Sequence, residues 1–255
     1  MSAVARHARA SADFMAKLQR SREALILLAQ NHARPDGAGP ARVVQASSLG
    51  AEDMVISHLI DTLELDVGIF VLQTGLLHTE TLALLEQFKA RSRAPVTVHE
   101  PRAEAVVQFV QREGQDAMFK STELRMACCG IRKMEPLARA LQGTTAWITG
   151  LRREQSGARA AVPLLDTSDL ARAKLNPLAD WAWGDVWHYI GAHEIAYNPL
   201  HDRFFPSIGC APCTRAISLG EDFRAGRWWW ESEAAKECGL HVAGNTHTEQ
   251  EESHA

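Results

Sequence analysis

No apolar run in this 255-residue chain approaches the roughly 18 residues needed to cross a bilayer, so no membrane-spanning helix is expected. The first residues mix Ala, Arg and His, and lack the compact apolar stretch and small-residue cleavage site of a secretory leader. Charge of one sign is missing too. The 27 Lys and Arg nearly balance the 31 Asp and Glu, for a net charge of -4, so bulk electrostatics give no basis for nucleic-acid binding. No internal repeat is present, and no Gly-Lys-Ser/Thr sequence, which excludes a Walker-type phosphate loop. Cysteines number only five. The cytoplasm is the expected compartment, and there clustered cysteines favour metal or redox chemistry over structural disulfides.

What is present is enough chain, 46% of it hydrophobic, for one sizeable core or one core plus an appended segment. Strand-like runs at 42–46, 67–72, 95–99 and 146–149 alternate with helical patterns at 51–65, 79–91, 103–113 and 130–142. Such alternation predicts an α/β fold with a mainly parallel sheet flanked by helices, its ligand beyond the carboxyl ends of the strands. Residues 1–40 read as an N-terminal helical or flexible segment, with 1–12 frayed, and 41–195 as the α/β domain. Asn198-Pro199, Phe205-Pro206 and Ala211-Pro212 break regular structure after residue 195, so 196–243 reads as a C-terminal, site-bearing segment. The polar stretch 244–255 lacks the apolar groups to fold alone and is expected to be disordered.

Ser47-Ser48-Leu49-Gly50-Ala51-Glu52-Asp53 joins the first strand to the first helix. Free N–H groups and hydroxyls there suit an anion, and Gly50 permits close approach. A Ser N-cap followed by acidic residues that favour the helix dipole is the plainer reading. Gln73-Thr74-Gly75 forms a second polar loop on the same expected edge, and the two together favour a nucleotide. Arg152-Arg153 after a later strand, and Arg224 with Arg227, can clamp a phosphate or sulfate in bidentate fashion. Singly, an exposed Arg pair is a solvated surface more often than not. Trp181, Trp183 and Trp187 follow a helical pattern and are expected in the core, and Trp228-Trp229-Trp230 is expected to pack on the body.

The cysteines divide four and one. Cys128-Cys129 and Cys210-Ala211-Pro212-Cys213 supply four thiols, the ligand count of an iron–sulfur cluster or a structural zinc. Adjacent cysteines reach one centre only if it is large or the backbone is distorted. That favours a four-iron cubane, with zinc and metal-free thiols as the alternatives. Ile131-Arg132-Lys133 places cations where they can offset cluster charge. Cys238 is left over. Lys236 and His241 stand near it in sequence, and nearby cations lower a thiol pKa; an inert surface thiol is the alternative.

Taken together, these residues resemble the thioredoxin-dependent adenylyl-sulfate reductases of the phosphoadenylyl-sulfate reductase family. The resemblance runs from about Ala41 to His241 and rests above all on the four-cysteine pattern and on Glu237-Cys238-Gly239-Leu240-His241. It implies an adenine-nucleotide α-hydrolase-like sheet with a modified pyrophosphate loop. It also implies a [4Fe-4S] cluster on Cys128, Cys129, Cys210 and Cys213, and adenylyl sulfate (APS) in preference to its 3′-phosphorylated form (PAPS). Cys238 becomes the catalytic nucleophile. Ser47, Ser48, Gly50, Leu72, Thr74, Gly75, Lys133, Arg152, Arg224, Arg227 and His241 become the substrate-binding set. Thioredoxin is the implied partner, and a homo-oligomer is expected. Where the family commonly shows Leu-Asp-Thr-Gly-Arg-Leu-His, this chain has Leu72-Gln73-Thr74-Gly75-Leu76-Leu77-His78, so Gln73 and Leu76 are left out of the catalytic set. A PAPS reductase, a non-catalytic redox regulator and an ATP-using relative are the competing readings.

Overall fold

The structure, a computed structural model, describes residues 1–33 and 41–232. Its centre is one six-stranded sheet built from β1 (Val43–Ser47), β2 (Gly68–Leu72), β3 (Val96–His99), β4 (Ala146–Ile148), β5 (Leu165–Asp166) and β6 (Ala173–Leu175), in the order β3-β2-β1-β4-β6-β5. All pairings are parallel except that of β5 with β6, as the alternating pattern predicts. β5 and β6 are not legible in the sequence. They are two and three residues long and carry Asp166 and Lys174, so only the pairing of β6 with β4, and of β5 with β6, makes them strands.

The helices are α1 (Ala3–His7), α2 (Phe14–Asn31), α3 (Ala51–Thr62), α4 (Thr79–Arg91), α5 (Ala103–Glu113), α6 (Thr122–Cys129), α7 (Glu135–Ala140) and α8 (Trp183–Ala192). A parallel sheet needs apolar cover on both faces. Leu25 and Leu28 of α2, Val55, Ile56 and Ile60 of α3, and Trp187 and Ile190 of α8 bury one face with Val43 and Ile148. Leu137 and Leu141 pack on Phe70 and Trp147 of the other. Trp181 and Trp187 are core residues, as expected. Gln45 of β1 is fully buried and satisfied by α3. It donates to the Asp53 carbonyl at 2.8 Å and accepts from Ser57 Oγ at 2.9 Å, which fixes α3 on the strand that precedes it.

Two expectations change. The predicted helix over 130–142 begins earlier, as α6, and passes through a π-helical turn at Gly130–Met134 before α7. Pro136 has no N–H to return to the Arg132 carbonyl, so the α-helical ladder cannot run through this point. Residues 1–12, expected to be frayed, pack on α8. Ala3 is fully buried and its N–H donates to Asp202 at 2.6 Å. The fully buried Asp185 carboxylate accepts from Ser11 N at 2.7 Å, Ser11 Oγ at 3.0 Å, Lys17 Nζ at 3.2 Å and Ala182 N at 2.9 Å. Removing it takes the acceptor from the Ser11 and Ala182 N–H groups, while Lys17 keeps Asp13 at 3.0 Å. Asp185→Ala should cost about 3 kcal/mol, read as a lower denaturant midpoint at unchanged slope.

Candidate active site

Strand order places the site. The chain leaves β1 toward β2 and β3 on one side, and returns on the other side with β4. Between β1 and β4 the loops at the carboxyl ends therefore diverge, which opens a crevice. A cleft of about 200 Å³ lies there, lined by Ser47, Ser48 and Gly50 after β1, Leu72 and Thr74 after β2, and Thr149, Gly150 and Leu151 after β4.

The first loop is held by its own carboxylate. Asp53 Oδ2 accepts from Ser48 N at 2.6 Å and Ser48 Oγ at 2.7 Å, so the Ser N-cap expected for α3 does not form. Gly50 occupies the cap, and no side chain bonds there. Leu49 takes a left-handed backbone at φ 60°, buried completely. Gly150 passes so close that a Cβ there would lie 2.5 Å from Asp53 Oδ1, which makes glycine obligatory. Asp53 thus ties the β1 and β4 loops together. Burial pushes its carboxyl up to about 6, and the Glu52 charge adds to this against the bonds from Ser48 and Gly150.

Cations occupy the cleft from several elements: Lys133 from the π-helical turn, Arg159, and Arg224 with Arg227. Arg224 and Arg227 are both buried. The Arg227 guanidinium carbon lies 4.7 Å from the Trp228 ring, and the guanidinium fills the space that a Cβ on Gly209 would need. His201 also lines the cleft, boxed by Trp183 and Trp187. Burial holds it down at about 4, so it is neutral near pH 7.

Three of the four thiols share one buried cluster beside the cleft. Cys128, Cys210 and Cys213 are buried with Phe109, Met118 and Trp228, and Leu76 packs against them. Cys129 is half-buried. Cys210 lines the cleft and lies 3.2 Å from Thr74 Oγ1. Its segment is pinned by the Ala211 N–H, which donates to the Leu76 carbonyl at 2.7 Å. None of the four is in a disulfide. Burial, with the Cys210 charge behind it, pushes the Cys213 thiol up to about 12; burial likewise raises Cys128, while Arg132 and Lys133 pull it down. Thiolates crowded there need compensating positive charge. No three His, Cys, Asp or Glu among the described residues converge on a position for a single metal ion.

A family model, the phosphoadenosine phosphosulfate reductase domain, matches residues 42–216. The chain belongs to that family. The adenosine 5′-phosphosulfate reductase of Allochromatium vinosum is 51% identical over 201 residues, 78% of each chain. That of Burkholderia cepacia is 51% identical over 218 residues, 85% of each chain. A crystal structure of phosphoadenylyl-sulfate reductase from Candida auris superposes with a TM-score of 0.61 at 23% identity, covering 77% of this chain and 90% of that one. Yeast FAD synthetase superposes with a TM-score of 0.55 at 12% identity, covering 84% and 73%. These two likenesses concern the fold alone.

For this member of the phosphoadenosine phosphosulfate reductase family, the structure brings Ser47, Ser48, Gly50, Leu72, Thr74, Lys133, Arg224 and Arg227 to one cleft. Gly75 stands behind it, at φ 75°, where a Cβ would meet Arg132. Arg152 does not line this cleft. It is fully buried and paired with Glu52 at 2.9 Å and Glu154 at 2.8 Å, and it donates to the Trp181 carbonyl. Its expected place among the cleft cations is taken by Arg159, whose Nη1 donates to Gln155 Oε1 at 2.7 Å. Neither Arg159 nor His201 carries a local sequence signal: each reaches the cleft from a short 3-10 turn, Gly157–Arg159 and Pro199–Arg203, too brief to show a periodicity. Gln73 accepts from the Gly75 N–H at 2.7 Å and Leu76 packs on the cysteines, so both departures serve the loop's shape. Cys238 and His241 lie outside the described residues.

Asp53 gives a signed pH test. Its folded pKa of about 6 exceeds the ordinary 3.8, so it favours the folded state fully only below about 4, and that contribution is lost as pH rises through about 6. Asn cannot titrate. Asp53→Asn should therefore gain on the parent chain in urea unfolding as pH goes from 4 to 7, whereas a constant difference would contradict the raised carboxyl.

Proposed function

We propose that this protein reduces APS to sulfite and AMP with thioredoxin as electron donor, in assimilatory sulfate reduction in the cytoplasm. The observation that carries this reading is the contiguity of two features. Cys210 and Lys133 belong both to an anion cleft at the nucleotide edge of the sheet and to the surroundings of a buried thiol cluster. Relatives about half identical over most of their length bear the name adenosine 5′-phosphosulfate reductase. The absence of any described helix long and apolar enough to cross a membrane agrees with a cytoplasmic enzyme.

The Cys238 thiolate attacks the sulfur of bound APS, an S–S bond forms, the S–O bond to phosphate breaks, and AMP leaves. The chain then carries S-sulfocysteine. A thioredoxin thiolate attacks Cys238 Sγ and expels sulfite, and the second thioredoxin thiol resolves the mixed disulfide, supplying both electrons. Lys133, Arg159, Arg224 and Arg227 offset the charge of the sulfate and phosphate as the thiolate approaches. The β1 and β4 loops, joined through Asp53, would hold the nucleotide end of the ligand.

Cys128, Cys129, Cys210 and Cys213 would hold a [4Fe-4S] cluster. The donor set fits in kind: four thiols match the ligand count of such a cluster, three of them, Cys128, Cys210 and Cys213, lie in one apolar cluster, and Arg132 and Lys133 stand near Cys128. When bound, the cluster would supply structural order and a local field beside the anion site. Loading requires the thiols to lose their protons, against the burial that holds Cys213 at about 12.

The test is sulfite release by anaerobically purified protein with thioredoxin, comparing APS with PAPS, alongside iron and acid-labile sulfide. Turnover on APS with about four irons per chain is expected. A preference for PAPS, or zinc in place of iron, would overturn the corresponding part. Cys238→Ser should bind APS yet form no covalent adduct and release no sulfite; turnover near the parent rate would remove Cys238 as nucleophile.

A further inference from the structure

The mechanism needs Cys238 at the anion cleft, and the last residues described before it are held by an unusual contact. Glu231 receives both ends of the Arg125 guanidinium, Nε to Oε1 at 3.0 Å and Nη2 to Oε2 at 2.7 Å. The two side chains are 3% and 4% exposed. Arg125 lies on α6, one turn before Cys129, whose thiol it also faces. A buried ion pair adds little net stability over apolar residues, but it fixes geometry, and a bidentate fork fixes it best.

The same residues continue to the cleft. The Trp228 ring lies 4.7 Å from the guanidinium carbons of both Arg125 and Arg227, and Arg227 lines the cleft. Trp228 is fully buried with φ 42°, a conformation a bulky residue adopts only when its surroundings impose it. Its N–H donates to the Cys213 carbonyl at 3.2 Å, and the Glu231 N–H returns to the Trp228 carbonyl at 2.8 Å. Residues 228–231 are thus a rigid turn clamped between the anion cation Arg227 and the cysteine-bearing helix.

Cys238 follows Glu231 by seven positions, which span at most about 25 Å of extended chain. The encounter of Cys238 with cleft-bound substrate is intramolecular in any case, and the anchor at Glu231 sets the number of residues, seven, between a fixed point and the thiol. Releasing the anchor lengthens the tether and lowers the effective concentration. Resting on the function proposed above, we infer that Arg125 and Glu231 are positioning residues that fix the point from which the Cys238 segment leaves the body.

The test is formation of S-sulfocysteine at Cys238 in the absence of thioredoxin, followed by quenched mass spectrometry on the full chain, with AMP affinity by calorimetry. Three variants are compared: E231Q, R125K and the double variant R125M/E231L, which leaves no buried charge unpaired. Each should form the adduct about tenfold more slowly, with AMP affinity within about twofold of the parent and iron content unchanged. R125K should share the defect because it keeps the charge but loses the fork. Adduct formation at the parent rate in the double variant would overturn the inference, as would a parallel loss of AMP affinity in all three. Absence of any adduct in the parent chain would instead overturn the function on which the inference rests.

Discussion

The contact between the Asp53 carboxylate and the backbone at Gly150 is the constraint around which the site is built. β1 and β4 are neighbours in space but about a hundred residues apart in sequence, and their loops must sit side by side for the cleft to exist. Only a glycine admits that approach, and only a short carboxylate can receive Ser48 from below while facing Gly150. The negative charge so placed would repel an anion if it were exposed. Its burial and its bonds to Ser48 make it a strut within the wall, and the cations stand on other loops.

The second half of the site obeys a different constraint. Cys128 and Cys129 are consecutive, so a regular helix would splay their side chains about 100° apart. The helix that carries them passes directly into a π-helical turn, required where Pro136 interrupts the ladder. The widened turn brings Lys133 to the cleft and Arg132 to the Thr74 carbonyl at 2.8 Å. One backbone irregularity thereby serves both the thiol pocket and the anion cleft. Arg125, one turn earlier, extends the same helix's reach to Glu231.

The predominantly parallel sheet was legible because buried strands and amphipathic helices alternate with different periods. That the polar loops of Ser47–Gly50 and Leu72–Thr74 meet at one edge was legible for a related reason: strand ends in such sheets face the same way. Arg152 shows where that reasoning stops. Two arginines after a strand look alike in sequence, but Arg152 turns inward to Glu52 while Arg153 remains exposed. The choice depends on a carboxylate a hundred residues away. Arg159 and His201 escaped notice for the same reason, since a short 3-10 turn has no periodicity to read.

By itself the sequence determined the fold class, the four-and-one division of cysteines and the identity of the polar strand-end loops. Those features depend on residue type and local spacing, which a chain carries with it. Only the tertiary structure decided which cations face the cleft, that Asp53 is a buried strut, that Cys210 borders the cleft, and that Glu231 is locked to α6. Those outcomes depend on which distant groups meet once apolar burial has fixed the helices to the sheet, and a buried charge must take whatever partner that packing brings within reach.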